Sequence, residues 1–152
     1  MALRLHREYR IKFYLNASHY ILNHGIKGQA HPHTWEFVLR IRIARTDFVE
    51  FRQFERGINE FLAKYQNALL NDMEPFTEIT PILENIVDGF AEKFYTIIRE
   101  AGGTLIEIEA GESPTHSYIL QIDWHEEDGK DAIMSSVADA VLDRMLKKDG
   151  QQ

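Results

Sequence analysis

The chain has 152 residues and a mass of 17.7 kDa, a length that fits a single domain over residues 1–152. Hydrophobic residues make up 44% and charged residues 27% of the sequence, a globular composition that excludes global disorder. The formal net charge is −7 at pH 7, which argues against nucleic acid and anionic membranes as main partners. Because the chain has no cysteine, disulfides, thiolate metal sites and cysteine nucleophiles are excluded.

The hydropathy pattern favours a cytoplasmic protein. No apolar run approaches the ~20 residues that a transmembrane helix needs. The first ten residues carry basic side chains, but no apolar stretch follows them as it would in a signal peptide. A soluble protein of the cytoplasm is therefore the expectation.

Two strands joined by a glycine-bearing loop are predicted in the first third of the chain. Residues 10–19 mix aromatic, apolar and polar side chains, which indicates a strand. Residues 23–30 include Gly25 and Gly28 and are predicted to form a loop. Residues 35–44 alternate between apolar and more polar side chains, as a half-buried antiparallel strand does. The apolar set of that strand is Trp35, Phe37, Leu39, Ile41 and Ile43.

Two helices are predicted in the middle of the chain. Residues 51–62 carry apolar side chains at helical spacing. For the second helix, Thr80 is a good N-cap and Pro81 suits the first helical position. This helix is predicted to end at Gly102 and Gly103.

The last third of the chain is predicted to contain two more strands and a helix. The strands are residues 104–109 and 118–124, and an amphipathic helix covers residues 131–148. The complete order is strand, strand, helix, helix, strand, strand, helix. This order predicts an α+β fold in which helices cover one face of an antiparallel sheet.

Three histidines are candidates for a metal site. His31 and His33 flank Pro32 at the start of the second predicted strand, so their side chains project to the same face. His19 ends the preceding strand, and a hairpin would turn it toward the same point. Three imidazoles without cysteine suit zinc with one open coordination position, the arrangement of catalytic zinc sites. The alternative is that the His-x-His pair is chance, since 7 histidines in 152 residues make such a pair not rare.

Six short segments follow one another in an order that resembles a known family. They are Asn16-Ala-Ser-His19, His31-Pro-His33-Thr-Trp-Glu36, Leu70-Asn71-Asp72, Pro75-Phe76, Pro81-Ile-Leu-Glu84-Asn85 and Ile106-Glu-Ile-Glu109. Their order and spacing over about residues 9–118 are similar to the 6-pyruvoyl-tetrahydropterin synthase family. That family includes the 6-carboxytetrahydropterin synthases of the queuosine precursor route.

The resemblance implies a particular architecture and assembly. The family fold is the T-fold, a four-stranded antiparallel sheet with two helices on one face. Its subunits join edge to edge into a β-barrel, usually as trimers stacked into hexamers, so a homo-oligomer is expected. Such an assembly also removes the exposed edges of a small open sheet. The predicted helix over residues 131–148 is an addition to the minimal family pattern.

The resemblance also implies the residues of a ligand site. The family's three zinc ligands match His19, His31 and His33, although Pro32 stands where the family has glycine. The family's late-strand glutamate, which anchors the pterin, is matched to Glu109. A carboxylate can accept two parallel N–H bonds from the 2-amino group and ring nitrogen of a pterin. The alternative for Glu109 is a solvated strand end.

The proton-transfer residues of the family are replaced in this chain. Lys27 stands in place of the family's cysteine, and Gln66 and Asn67 stand in place of its Asp-His pair. Side-chain amides do not take up a proton near neutral pH. Lys27 could do so if zinc and burial depress its pKa, and His24 is the other candidate in this loop. Lys27 and His24 are therefore the candidate catalytic residues.

Three functions follow from these observations. The first is a zinc-dependent 6-pyruvoyl- or 6-carboxytetrahydropterin synthase-like lyase that acts on a pterin triphosphate or a related pterin. The second is a non-catalytic paralogue that binds zinc and a pterin-like or purine-like ligand. The third is a scaffold that uses only the barrel-forming fold.

Overall fold

A computed structural model describes residues 2–44 and 49–123. The predicted helix over residues 131–148 and the end of the predicted fourth strand at Trp124 lie outside these residues. The strands are β1 (Arg7–His19), β2 (Leu22–Asn23), β3 (Ile26–Lys27), β4 (His31–Ile43), β5 (Thr104–Ser113) and β6 (His116–Gln121). The helices are α1 (Phe51–Ala63) and α2 (Leu83–Glu100), and a short 3₁₀ helix covers Leu70–Asp72.

Four of the strands form one antiparallel sheet in the order β1-β4-β5-β6. β1 and β4 are paired along their whole length, from Arg7 opposite Ile43 to His19 opposite His31. Both helices belong to the chain segment between β4 and β5. This architecture confirms the predicted α+β fold and its T-fold arrangement of a four-stranded antiparallel sheet with two helices.

The hydrophobic core lies between one face of the sheet and the two helices. Alternate residues of β1 and β4 point into it, because successive side chains of a strand face opposite sides. The helices contribute residues three and four apart, the spacing of one helical face. The most deeply buried of these large side chains are Leu15, Trp35, Phe37, Leu39, Ile41, Phe54, Ile58, Leu62, Ile86, Phe90 and Phe94.

The turn from α2 into β5 is as tight as the glycine pair predicts. Gly102 has a φ of 97°, and the N–H of Gly103 donates to the carbonyl of Ile98 at 2.9 Å. A Cβ at Gly103 would lie 2.6 Å from Cγ2 of Ile41 and 3.0 Å from the Phe54 ring. A larger residue at Gly103 would therefore collide with the core. The predicted helix end is confirmed, and the packing explains why glycine is needed there.

The predicted start of α2 was wrong. The helix begins at Leu83, and its N-cap is Ile82 rather than Thr80. The carbonyl of Thr80 accepts bonds from the N–H of Ile82 at 2.8 Å and from the side chain of Asn85 at 2.9 Å. The Thr80 carbonyl therefore fixes the turn that leads into the helix, and Pro81 precedes the helix.

The predicted loop over residues 23–30 contains a small hairpin. β2 and β3 pair across two residues, His24 and Gly25, whose φ angles are 50° and 79°. Two central residues with positive φ are typical of the tight hairpin turns that match strand twist, and glycine suits them best. The hairpin starts three residues after His19 and returns the chain to His31 through Gly28, whose N–H donates to the carbonyl of Ile21 at 3.0 Å.

The strands β5 and β6 differ in length from their predictions. β5 continues to Ser113 instead of ending at Glu109, and β6 begins at His116 instead of residue 118. The pairing of these strands is irregular between Ala110 and Ser113. Irregular pairing of this kind bends a strand and re-aims its side chains. The carboxylate of Glu112 lies in this segment.

The edge of β1 is covered by the chain that follows α1. The main-chain N–H of Asn16 donates to Oε1 of Gln66 at 2.9 Å, and Nε2 of Gln66 donates to the carbonyl of Tyr14 at 2.9 Å. The N–H of Ser18 donates to the carbonyl of Ala68 at 2.8 Å. The Gln66 amide thus pairs with the strand as another peptide group would, and it satisfies edge groups that would otherwise depend on water.

Among the described residues, no helix has the length and hydrophobicity that crossing a bilayer requires.

We expect Gln66→Ala to lower the free energy of unfolding by about 1–2 kcal/mol, since two main-chain partners on β1 lose a hydrogen bond. Urea unfolding followed by circular dichroism measures this change. Gln53→Ala, on the exposed face of α1, is the matched control and should stay within about 0.5 kcal/mol of the wild type. Equal destabilisation by both substitutions would contradict the proposed role of Gln66 at the strand edge.

Candidate metal centre and ligand cavity

The imidazoles of His19, His31 and His33, here called the histidine cluster, converge on one point. The register of β1 and β4 places His19 directly opposite His31, and His33 follows two residues later on the same face. One ring nitrogen from each histidine lies within 4.8 Å of the others. Nε2 of His19 and Nε2 of His31 are 3.0 Å apart. The predicted convergence of the three imidazoles is therefore confirmed.

Main-chain carbonyls hold the other ring nitrogen of two of these histidines. Nδ1 of His19 lies 2.7 Å from the carbonyl oxygen of Pro81, and Nδ1 of His31 lies 3.0 Å from that of Gln29. A carbonyl can only accept a hydrogen bond, so each Nδ1 carries the proton. Each Nε2 then presents a lone pair, and a partner of this kind is typical of histidines that bind metals.

Burial keeps the deepest of the three ligands neutral. His19 is 1% exposed, and this burial lowers its pKa, although the Pro81 carbonyl and the charge of Glu112 act in the opposite direction. A neutral imidazole is the form that binds a metal. His31 is exposed and His33 is half-buried, so the cluster is accessible from the outside.

The donor set and its spacing fit zinc. Two nitrogens bound tetrahedrally to one zinc ion at about 2.0–2.1 Å lie about 3.3 Å apart. The separation of 3.0 Å between the Nε2 atoms of His19 and His31 is close to that value. Among the described residues the cluster consists of three histidines, and three histidine ligands correspond to the open type of zinc site.

The proline at the centre of the His-x-His pair is accommodated by the shape of the sheet. Pro32 lies opposite Ser18 in the β1–β4 pairing. The pairing of β4 with β5 begins only at Glu36, opposite Gly111. β4 therefore extends past β5 at Pro32, where the missing proline N–H interrupts no pairing with a second strand.

Glu112 is a site residue that sequence reasoning missed. Its Oε1 accepts a hydrogen bond from Nε1 of Trp35 at 2.9 Å. The Trp35 ring packs against His19 and His33, with centroid distances of 5.1 and 5.4 Å. The carboxylate of Glu112 is thus one side chain away from the histidine cluster. Glu112 follows the predicted strand over residues 104–109, and the irregular pairing between Ala110 and Ser113 interrupts the alternation that could have revealed it.

Glu109 lies on the face of the sheet that points away from the hydrophobic core. It pairs with Val38, which alternates with the buried Phe37 and Leu39 and so points away from the core. The hydroxyl of Ser117 donates to Oε1 of Glu109 at 2.9 Å. Its predicted role in ligand binding remains a prediction.

Two cavities adjoin near these residues. The larger, of about 420 Å³, is lined by the carboxylates Glu36, Glu109 and Glu112, together with hydroxyl-bearing side chains. The smaller, of about 380 Å³, includes His33. Thr34 lines both.

The two predicted catalytic residues lie on the small hairpin. Nζ of Lys27 stacks over the ring of Tyr20 at 4.4 Å from its centroid, and Tyr20 follows His19 directly in the chain. His24 is exposed at the hairpin turn. Of the two, Lys27 is held beside the strand end that carries a metal-ligand candidate.

The positions of the replaced Asp-His pair have structural contacts. Both polar groups of the Gln66 amide bond to the β1 main chain. Asn67 has a φ of 61° and donates its N–H to the Asn16 carbonyl at 2.6 Å. Asn67 also lines the smaller cavity beside His33. These side chains border the site and are neutral amides.

We expect His31→Ala to weaken zinc binding by more than roughly 100-fold, since losing a ligand should cost more than the 10–100-fold typical of an outer partner. Competition with a chromogenic chelator measures the affinity. The matched control is His6→Ala, which removes an exposed histidine near the N-terminus. A zinc affinity unchanged by His31→Ala would exclude the histidine cluster as the metal site.

Solved structures share the fold at low sequence identity. The structure of Caenorhabditis elegans 6-pyruvoyl tetrahydropterin synthase aligns with a TM-score of 0.61 and 13% identity, covering 80% of this chain and 99% of that one. A catalytic-residue mutant of the Plasmodium vivax 6-pyruvoyltetrahydropterin synthase aligns with a TM-score of 0.58 and 14% identity, covering 77% and 98%. An uncharacterized protein from Wolinella succinogenes gives a TM-score of 0.59 and 12% identity, covering 79% and 100%.

A comparison with curated protein sequences finds no match. The family model of 6-pyruvoyl tetrahydropterin synthase matches residues 8–123, which include the whole histidine cluster and all of the described strands and helices except the first residue of β1. The fold and the three converging imidazoles agree with this match. The chain belongs to the 6-pyruvoyl tetrahydropterin synthase family.

Proposed function

We propose that the protein is a zinc-dependent, pterin-binding lyase of the 6-pyruvoyl- or 6-carboxytetrahydropterin synthase type. The observation that carries this proposal is the convergence of three imidazole nitrogens within 4.8 Å, two of them oriented by main-chain carbonyls. Family membership supports a pterin triphosphate or a related pterin as the substrate class.

His19, His31 and His33 would hold the metal in this proposal. When bound, zinc supplies Lewis-acid chemistry toward the oxygens of the pterin side chain and acidifies the adjacent C–H bonds. The exposure of His31 and the cavity beside His33 leave the outer side of the cluster accessible to a ligand.

A carboxylate of β5 would bind the pterin ring through its 2-amino group and ring N–H. Glu109 is the residue matched from the sequence, and Glu112 is the carboxylate whose charge acts on His19. Both line the larger cavity. We favour Glu112, since its hydrogen bond to Trp35 connects it to the histidine cluster.

Lys27 is the candidate for proton transfer, with His24 as the second. The stacking of Lys27 over Tyr20 keeps the ammonium beside the end of β1. In this proposal Lys27 would move a proton between atoms of the ligand, as a general acid–base group does.

A second function is favoured by one observation. Gln66 uses its amide to hold the edge of β1, and an amide does not exchange protons in a general acid–base step. The protein would then bind zinc and a pterin-like or purine-like ligand without the synthase reaction.

Homo-oligomerisation is part of the proposal. The sheet ends in two edge strands, β1 and β6. In the part of the chain that the structure describes, the segment after α1 bonds to β1 at Tyr14, Asn16 and Ser18. Edge strands favour pairing with another chain, and family membership supports a trimer or hexamer. Light scattering after size-exclusion chromatography measures the assembly.

A turnover assay tests the reaction. Zinc-loaded protein should convert dihydroneopterin triphosphate, and Lys27→Ala should reduce the rate by roughly 100-fold or more if Lys27 transfers the proton. The matched control is Lys64→Ala, since Lys64 also lies over aromatic rings, those of Phe61 and Tyr65.

Three outcomes separate the functions. Product formation that depends on Lys27 supports the lyase. Pterin binding in calorimetry without product supports the non-catalytic paralogue. Absence of both from protein that holds zinc would remove both pterin functions and leave a scaffold.

We expect Glu112→Gln to weaken pterin binding by roughly 10–100-fold, since hydrogen bonds to a charged group contribute about 1.5–3 kcal/mol. Calorimetry on zinc-loaded protein measures the change. Glu109→Gln is the matched control on the same strand and should have a smaller effect. If Glu109→Gln produces the larger loss, the assignment made from the sequence is the correct one.

A further inference from the structure

Trp35 contacts both the histidine cluster and the carboxylate of Glu112. The residue is fully buried on β4, two positions after His33. Its ring lies edge-on against His19, with an interplanar angle of 86°, and tilted against His33 at 59°. Its indole N–H donates a hydrogen bond to Oε1 of Glu112 at 2.9 Å.

The hydrogen bond to Glu112 has a strong physical reason to persist. A buried indole N–H needs an acceptor, and Glu112 accepts it across the β4–β5 boundary. A bond to a carboxylate is stronger and more directional than one to a neutral group. The bond therefore limits the rotation of a carboxylate that lines the larger cavity.

We propose that Trp35 is a positioning residue that orients the Glu112 carboxylate relative to the histidine cluster. Its ring is fixed by packing against two candidate metal ligands, and its N–H fixes one oxygen of Glu112. The other oxygen is then presented to a ligand that carries N–H donors. This inference rests on the proposed function for the identity of that ligand, a pterin, while the Trp35–Glu112 link stands without it.

The link also implies coupling between metal and ligand. Any change in the positions of His19 and His33 when zinc binds is transmitted to the indole ring that they contact. The orientation of Glu112 changes with the ring. Zinc should therefore alter the environment of the indole N–H even when no pterin is present.

Nuclear magnetic resonance of the indole N–H tests the link without any pterin. The chain has two tryptophans, so Trp124→Phe assigns the Trp35 signal. Glu112→Gln should move that signal upfield because an amide oxygen is a weaker acceptor than a carboxylate. Zinc should shift it as well, and Glu109→Gln should leave it in place. A Trp35 signal insensitive to Glu112→Gln would overturn the proposal.

Binding measurements test the positioning role. Trp35→Phe keeps an aromatic ring beside the histidines and removes the N–H donor together with part of the ring volume. We expect pterin affinity to fall roughly tenfold, the loss of one hydrogen bond to a charged group, while zinc affinity changes far less. In Glu112→Gln protein, the same substitution should cause much less than its full effect, because residues that act as a unit are non-additive.

The results separate the two levels of inference. Trp35→Phe that leaves pterin affinity unchanged, or that acts additively with Glu112→Gln, overturns the positioning role. Wild-type protein that binds zinc but no pterin overturns the proposed function. In that case the resonance of the Trp35 indole still tests whether Trp35 is bonded to Glu112. If Trp35→Phe fails to fold, Glu112→Gln with intact Trp35 provides the same spectroscopic decision.

Discussion

The thirteen residue pairs between β1 and β4 run from Arg7 opposite Ile43 to His19 opposite His31. Because side chains alternate along a strand, a slip of one residue would turn one strand's histidines to the opposite face. The same slip would expose the buried apolar residues of that strand, such as Leu15 or Phe37. Burial of the core therefore sets the register, and the register brings the imidazoles together. The stability of the fold and the geometry of the candidate metal centre therefore depend on the same strand pairing.

The carbonyl of Pro81 connects this pairing to the helical layer. It lies 2.7 Å from Nδ1 of His19, and α2 starts two residues later, at Leu83. A helical Pro81 would direct its carbonyl along the helix axis toward the next turn. Because α2 starts after Pro81, the Pro81 carbonyl is free of the helix and can orient the His19 ring.

Local patterns were enough for much of the architecture. The alternation in β4, the apolar spacing in α1 and α2, and the glycine pair after α2 predicted these elements within a few residues. The tight hairpin of β2 and β3 and the extension of β5 to Ser113 were not predicted. Short strands contain too few residues for a period to be read, and irregular pairing at Gly111 and Glu112 interrupts the alternation.

The amino-acid sequence determined that His31 and His33 share a face, since residues two apart on a strand project to the same side. Tertiary structure decided what surrounds them. The bonds of His19 to Pro81, Trp35 to Glu112 and Asn16 to Gln66 join residues 62, 77 and 50 positions apart. A periodic pattern reports only which face a residue occupies within its own element. The partner on that face is chosen when the sheet and helices pack.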